Sequence, residues 1–180
     1  MNRRDAVLTL KHFCSTVHSP EVGDDVMLST AELCSFGFTP RKLFTPTPED
    51  RIHSVEKLLG FTMPPVLFAL FSQISNGIAG FCYQVLGVNE GCRCHLGDIL
   101  NTYKVFCEDG VKGKAWQDGL LPFVSWGCNI FSCIDSRNPD GPLYLFEGDQ
   151  LFRVEYTLDE MFVRMANKRF TLDERDEGKE

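Results

Sequence analysis

The apolar residues of this chain are spaced mainly as in helices before residue 77 and mainly as in strands after it. Predicted helices cover Asn2 to Val17, Glu49 to Leu59, and Pro64 to about Ser75. Five later segments are rich in aromatic and β-branched residues and are predicted strands: Gly80 to Val88, Leu120 to Trp126, Cys128 to Asp135, Leu143 to Phe146 and Leu151 to Tyr156. A helix from Leu158 to about Ala166, capped by Thr157, follows them. This order predicts an α+β fold with N-terminal helices, a mostly antiparallel sheet and a C-terminal helix.

Short polar signals mark the boundaries of these elements. Asn76-Gly77 ends the helix that Pro64 opens, because glycine adopts left-handed backbone angles without steric cost. Glu147-Gly148-Asp149-Gln150 separates the last two predicted strands and is typical of a hairpin. Among the strands, Asp98 to Phe106 is predicted to be a helix capped by Asp98.

The composition is that of a globular protein. The 180 residues include 43% hydrophobic residues and carry a net charge of −7. This acidity argues against a direct nucleic-acid surface, because binding to phosphates depends on Lys and Arg. No apolar run reaches the roughly 20 residues of a membrane span, and no signal-peptide pattern follows Arg3-Arg4. We therefore expect a cytoplasmic protein without membrane attachment.

The sequence divides into three parts. Residues 1–48 are expected to form a helical N-terminal extension, packed on or next to the main α+β domain of residues 49–170. Residues 171–180 contain too little apolar surface to order themselves and are expected to be a disordered acidic tail. A chain of this length is usually a single domain that buries its own core.

The eight cysteines are expected to be free thiols in a reducing cytosol, most of them packed as small hydrophobes. Cys92-Arg93-Cys94-His95 is the exception, because it puts three possible metal ligands within four residues. Zinc sites more often use C-x-x-C spacing, and this loop would need Cys82 or Cys107 as a fourth ligand. A loop of free thiols is the favoured interpretation, and no metal or other cofactor is predicted. The remaining cysteines have apolar sequence neighbours: Cys14, Cys34, Cys82, Cys107, Cys128 and Cys133.

Catalytic motifs are missing from the sequence. It contains no nucleotide-binding G-x-x-x-x-G-K-[ST] or G-x-G-x-x-G, no G-x-S-x-G and no H-E-x-x-H. Cys128 and Cys133 are possible nucleophiles, but both lie in predicted strands, where burial keeps a thiol protonated and inert. The residues favour a protein that is not an enzyme. A metal- or thiol-dependent enzyme built around Cys92, Cys94 and His95 is the less favoured alternative.

Three motifs, taken in order, carry a resemblance to a known family. They are Gly60-Phe61-Thr62-Met63-Pro64-Pro65, then Asn76-Gly77, then Leu120-Leu121-Pro122 with Trp126-Gly127. Over about Glu49 to Ala166 the chain resembles the SUKH superfamily, typified by the fungal Smi/Knr cell-wall regulator. The resemblance implies an α+β domain whose bacterial members mostly act as immunity proteins. Such a protein binds the catalytic domain of a polymorphic toxin, often a nuclease, and blocks it in the cytoplasm of the producing cell or its kin. The net charge of −7 suits a basic nuclease as partner.

Four residues are candidates for contacting a protein partner: Trp126, Asn129, Phe131 and Asp135. Aromatic anchors and acidic groups suit an interface with a basic protein, and Asn129, Phe131 and Asp135 share a strand face at a period of two. For each residue taken alone, the favoured interpretation is structural: Trp126 and Phe131 belong to the core, while Asn129 and Asp135 fix turns or cap backbone. We expect a non-enzymatic binding protein, most simply an immunity protein, with a regulatory or scaffold module of the cell-wall regulator type as the alternative.

Overall fold

The computed structural model describes residues 42–80, 83–110 and 114–166, together with Leu8, Lys11 and Cys14. These three N-terminal residues are helical, and Cys14 is buried in the hydrophobic core. The rest of the helix predicted from Asn2 to Val17, the tail of residues 171–180, and the thiols Cys34 and Cys82 lie outside the described residues.

The described residues form one seven-stranded sheet in which the strands lie side by side in sequence order. Every neighbouring pair is antiparallel. The strands are β1 (Lys42–Leu43), β2 (Ile78–Ala79), β3 (Gln84–Val85), β4 (Leu120–Gly127), β5 (Ile130–Asp135), β6 (Leu143–Glu147) and β7 (Gln150–Arg153). Four helices accompany them: α1 (Glu49–Leu59), α2 (Pro65–Ala69), α3 (Ile99–Asp109) and α4 (Leu158–Ala166). The α+β prediction is confirmed.

Helix boundaries follow capping chemistry. The carboxylate of Asp98 accepts the backbone N–H of Asn101 at 2.9 Å and caps α3 as predicted. The start of α4 is a capping box: the carboxylate of Glu160 accepts the N–H of Thr157 at 2.9 Å, and the Thr157 hydroxyl accepts the N–H of Glu160 at 3.3 Å. Helix α2 begins at Pro65 and continues into a π-helical turn, Leu70–Ile74, where the sequence predicts an ordinary helix.

Several strands are shorter than predicted. The segment from Gly80 to Val88 contributes only the two residues of β3 to a named strand, because the chain leaves the sheet after Val85 to form a loop. Strand β5 begins at Ile130, two residues later than predicted. Strand β7 ends at Arg153. Helix α3 runs three residues beyond the predicted end at Phe106.

The core lies between the sheet and its helices. Residues 120–125 of β4 are all buried, so both faces of this central strand are covered. Helix α1 contributes Ile52, Val55 and Leu59 to the core, as its apolar stripe predicts. Helix α3 packs on β4 and also touches α1. None of the described helices combines the length and apolar character that crossing a membrane requires.

Candidate functional site

A groove of about 190 Å³ opens at one end of the sheet. The β4–β5 turn, the β6–β7 turn, the C-terminal end of α3 and the loop before α3 surround it. We call it the hairpin-end groove, and define it by the residues Leu96, Val105, Phe106, Asp109, Gly110, Asn129, Phe146 and Gly148. It brings together four segments that are distant in sequence.

Packed aromatic rings form the floor of the hairpin-end groove. The ring of Phe106 meets Phe146 at 4.8 Å between centroids and Phe131 at 5.1 Å, both edge to face. Phe131 and Phe146 are directly opposite each other on β5 and β6, which fixes their spacing. All three side chains are at least nine-tenths buried, so the floor is rigid. The ring of His95, an exposed residue, lies 6.3 Å from that of Phe131.

The rim of the groove carries negative charge. Asp109, the exposed last residue of α3, lines the groove, and no described residue forms an ion pair with its carboxylate. Gly110 donates its N–H to the carbonyl of Phe106 at 2.9 Å and ends the helix at the groove. The C-terminal end of a helix has a partial negative charge of about half a unit. Rim and helix end therefore attract cations.

The β4–β5 turn places Asn129 on the groove through an unusual backbone. Cys128 and Asn129 both have positive φ, at 48° and 61°, as a two-residue type I′ hairpin turn requires. Asparagine tolerates this conformation, whereas a cysteine side chain is strained in it. This turn is the reason that β5 starts at Ile130 and that the predicted strand beginning at Cys128 is wrong at its first two residues.

We predict that Cys128→Gly stabilises the protein. Glycine relieves the left-handed strain at φ 48°, and the free energy of unfolding should rise by about 1 kcal/mol. Denaturant unfolding of the two proteins under reducing conditions measures the difference. Cys107→Gly is the control, because the same change inside α3 should lower the free energy of unfolding by about 0.3 kcal/mol, the difference in helix propensity between the two residues. A loss of stability in Cys128→Gly would contradict the turn geometry.

The loop between β3 and α3 is held by Asn76. Its side-chain amide donates to the carbonyl of Val88 at 2.8 Å and its carbonyl oxygen accepts the N–H of Val88 at 2.8 Å. The backbone carbonyl of Asn76 also accepts the N–H of Cys92 at 2.9 Å. Within the loop, Cys94 and Gly97 exchange backbone hydrogen bonds at 2.9 and 3.0 Å. These bonds fix the segment that carries Leu96 to the groove.

The structure separates the four candidate partner-binding residues. Asn129 lines the hairpin-end groove. Phe131 does not line it: this residue is fully buried and supports the floor through its contact with the ring of Phe106. The Trp126 indole N–H donates to the hydroxyl of Ser132 at 2.8 Å, which places it on the sheet face opposite Phe131. Asp135 is at the far end of β5, six residues or about 20 Å from Asn129. Its carboxylate accepts the N–H of Arg137 at 3.0 Å.

The cysteines do not all behave as buried hydrophobes. Cys107 and Cys128 are exposed, so their predicted packing in the core is wrong; one lies on α3 and the other in a turn. Cys92 is buried, and its thiol donates to the carbonyl of Ile78 at 3.4 Å. Burial raises the pKa of Cys92 to about 11, and it also raises the pKa of Cys133. The described residues hold no group of three His, Cys, Asp or Glu side chains placed to bind a metal.

The buried thiol of Cys92 makes stability sensitive to alkaline pH. An unfolded thiol loses its proton near pH 8.5, whereas the pKa of Cys92 in the folded chain is about 11. Its contribution is therefore complete below pH 8.5 and declines as pH rises to 11, by on the order of 2 kcal/mol. We expect unfolding free energies measured at pH 7.5 and 10.5 to differ less in Cys92→Ala than in the parent. An equal fall in both proteins would contradict this prediction.

Other groove residues are missing from the sequence-based candidates. Phe106 lies in a predicted helix and Phe146 in a predicted strand, so the sequence indicates burial without indicating that the two rings meet. Asp109 follows the predicted end of its helix, and nothing in the local pattern distinguishes it from other surface acids. The two hairpin turns are the available signal, because turns at the same end of adjacent hairpins lie close together.

Comparison with known families identifies the class of domain. The seven-stranded antiparallel sheet and its helices define an α+β domain of the type that the sequence predicts. The chain belongs to the SMI1 / KNR4 family (SUKH-1), whose family model matches residues 46–164. The matched segment includes every described element from α1 to β7, and the resemblance to the SUKH superfamily is confirmed. No curated protein matches the chain.

Proposed function

We propose that this chain is a non-enzymatic, cytoplasmic immunity protein that binds and neutralises the catalytic domain of a polymorphic toxin, of the nuclease type. The proposal rests on membership of the SMI1 / KNR4 family, because bacterial relatives in the superfamily mostly have this role. The hairpin-end groove is the surface that we assign to the partner.

The groove has the properties of a protein interface. Its aromatic floor is packed before any partner arrives, so binding orders few side chains and loses little entropy. The rigid floor is surrounded by polar groups, including Asn129 and Asp109, which is the arrangement found around interface hot spots. Two hairpin turns and a helix end supply the rim, and loops on a rigid scaffold commonly carry binding residues.

The charge of the domain favours a basic partner. Residues 46–164 contain 9 Lys and Arg against 15 Asp and Glu, so this part of the chain has a net charge of 9 − 15 = −6. Nucleases carry basic surfaces for the phosphate backbone, and an acidic inhibitor is steered toward such a surface at low salt. Complementary charge raises the association rate and disfavours acidic proteins as partners.

The buried thiols Cys14, Cys92 and Cys133 are more consistent with packing than with nucleophilic catalysis. Burial raises the pKa of Cys14 to about 12 and that of Cys92 to about 11, which keeps both thiols protonated at neutral pH. Cys133 has no exposed surface. A docking protein needs none of these groups to react.

The decisive experiment pairs this chain with the toxin domain encoded beside its gene. We expect co-expression to protect cells from that domain, and the two purified proteins to form a stable complex by size-exclusion chromatography and calorimetry. Asp109→Lys should weaken the complex at least tenfold, whereas Glu155→Lys makes the same change in charge away from the groove and should leave binding unchanged. Protection by Asp109→Lys equal to that of the parent would remove the groove assignment.

A regulatory role is the outcome that would replace this proposal. The family is named after the SMI1 / KNR4 proteins, and the regulatory alternative predicts no protection and no complex with any adjacent toxin. In that case, the same purified chain should bind a cell-envelope or signalling protein encoded nearby. Turnover of a small molecule, abolished by one substitution, would contradict both binding roles.

A further inference from the structure

We infer that the hairpin-end groove accepts one basic side chain, an arginine or lysine, from the protein partner. This inference rests on the proposed function, because it names the group by which that partner is held. It follows from the size of the groove, from its lining, and from the charge at its mouth.

The volume suits one side chain. At about 190 Å³, the groove is smaller than the roughly 300–1,000 Å³ of sites that hold drug-sized ligands. It has room for roughly six waters, at about 30 Å³ each in the liquid. A single long side chain is of the size that such a space accommodates.

The lining suits the stem of a basic side chain. Leu96, Val105 and the edges of the phenylalanine floor form apolar walls. Arginine and lysine bury their methylene groups against such surfaces while the charged head remains near polar groups. A guanidinium or ammonium group within about 6 Å of a phenylalanine ring also gains attraction from the ring electrons.

The mouth suits the charged head. The carboxylate of Asp109 lines the groove, and no described residue forms an ion pair with it. The C-terminal end of α3 lies on the same rim, and its macrodipole adds negative potential there. The side chain of Asn129 provides a neutral oxygen as a further acceptor. An acidic side chain would meet repulsion from the Asp109 carboxylate and from the negative end of α3.

The test uses the full chain and a blocked amino acid. N-acetyl-arginine methylamide is titrated into the ¹⁵N-labelled protein at pH 7.5 and low salt, and amide shifts are followed by NMR. We expect saturable shifts confined to the amides of Asp109, Gly110, Asn129 and Gly148, with a dissociation constant in the millimolar range. The citrulline analogue has nearly the same shape without the charge, and should bind at least tenfold more weakly.

Variants locate the interaction. Asp109→Asn removes a carboxylate from an exposed position and should weaken binding of the arginine probe about tenfold, because a hydrogen bond to a charged group is lost. Glu155→Gln removes one charge elsewhere and should leave binding unchanged. Absence of saturation, shifts at other amides, or equal binding of the citrulline analogue would overturn the inference.

The outcome separates this inference from the proposed function. If the chain neutralises the toxin but the arginine probe does not bind in the groove, the partner is held by other contacts and only the inference fails. If the probe binds as expected but no toxin domain is neutralised, the groove still recognises basic side chains and the immunity proposal fails.

Discussion

Replacing Gly77 by alanine should lower the free energy of unfolding by about 4 kcal/mol. A Cβ atom at this position would lie 2.6 Å from the carbonyl oxygen of Val85 and 2.8 Å from the backbone nitrogen of Gly87. These are backbone atoms of a packed sheet and loop, so they cannot move aside cheaply. The residue also has a φ of 90°, which costs an alanine about 1–2 kcal/mol before any clash, and overpacking adds about 1–3 kcal/mol.

Gly60→Ala is the matched control for this prediction. Gly60 has a similar φ of 84°, but a Cβ atom there would meet nothing within 4 Å. Gly60→Ala should therefore lower the free energy of unfolding only by the cost of a left-handed backbone at alanine, about 1–2 kcal/mol. Urea or guanidinium unfolding of both variants gives the comparison. If the two alanines cost the same, the close approach of the chain at Gly77 is not as the structure describes.

Replacing Phe131 by alanine should lower the free energy of unfolding by a similar amount, about 3–5 kcal/mol. The side chain has no exposed surface and packs edge to face against Phe106. Its removal leaves a cavity in the floor of the hairpin-end groove, and the strand pairing with Phe146 prevents the walls from closing. Phe131→Leu, which keeps most of the volume, should lose less than half as much. Thermal and denaturant unfolding measure both effects. A Phe131→Ala protein as stable as the parent would contradict the assignment of Phe131 to the core.

Asn129→Gly separates the structural role from the binding role at this end of the sheet. Glycine suits the φ of 61°, so stability should change by less than about 0.5 kcal/mol. The variant should nevertheless weaken the partner complex, because it removes a side chain that lines the groove. A destabilised Asn129→Gly protein would contradict the turn assignment.

Local chemistry accounts for what the sequence predicted well. Asp98 and Thr157 cap helices because their side-chain oxygens reach backbone amides within three residues. The Glu147 to Gln150 hairpin is likewise a short-range feature, and it is found where the sequence places it. The long strands β4 and β5 also match their predictions, except that the predicted β5 began two residues too early. Those two residues form a turn, and a cysteine at position 128 does not indicate the positive φ that the turn requires.

Long-range packing accounts for what the sequence could not predict. The hairpin-end groove depends on Phe106 meeting Phe146 across 40 positions of sequence, and no periodicity reports that contact. The amide of Asn76 reaches Val88 in a similar way, although the sequence indicates only that Asn76-Gly77 ends a helix. The prediction that Asn129, Phe131 and Asp135 share a strand face assumed a regular strand from Cys128 onward. It was wrong for Asn129, which lies in the β4–β5 turn.

The order of the strands has a consequence for how the chain folds. Strands β4 to β7 are joined by short turns, whereas 34 residues separate β1 from β2 and another 34 separate β3 from β4. Closing a long loop costs entropy that a tight turn does not, so the four-stranded meander of residues 120–153 should assemble early, through contacts near in sequence. Helix α3 can dock only afterwards. Newly made chains should therefore acquire the meander before they acquire the recognition surface, and hydrogen exchange during refolding would reveal the delay.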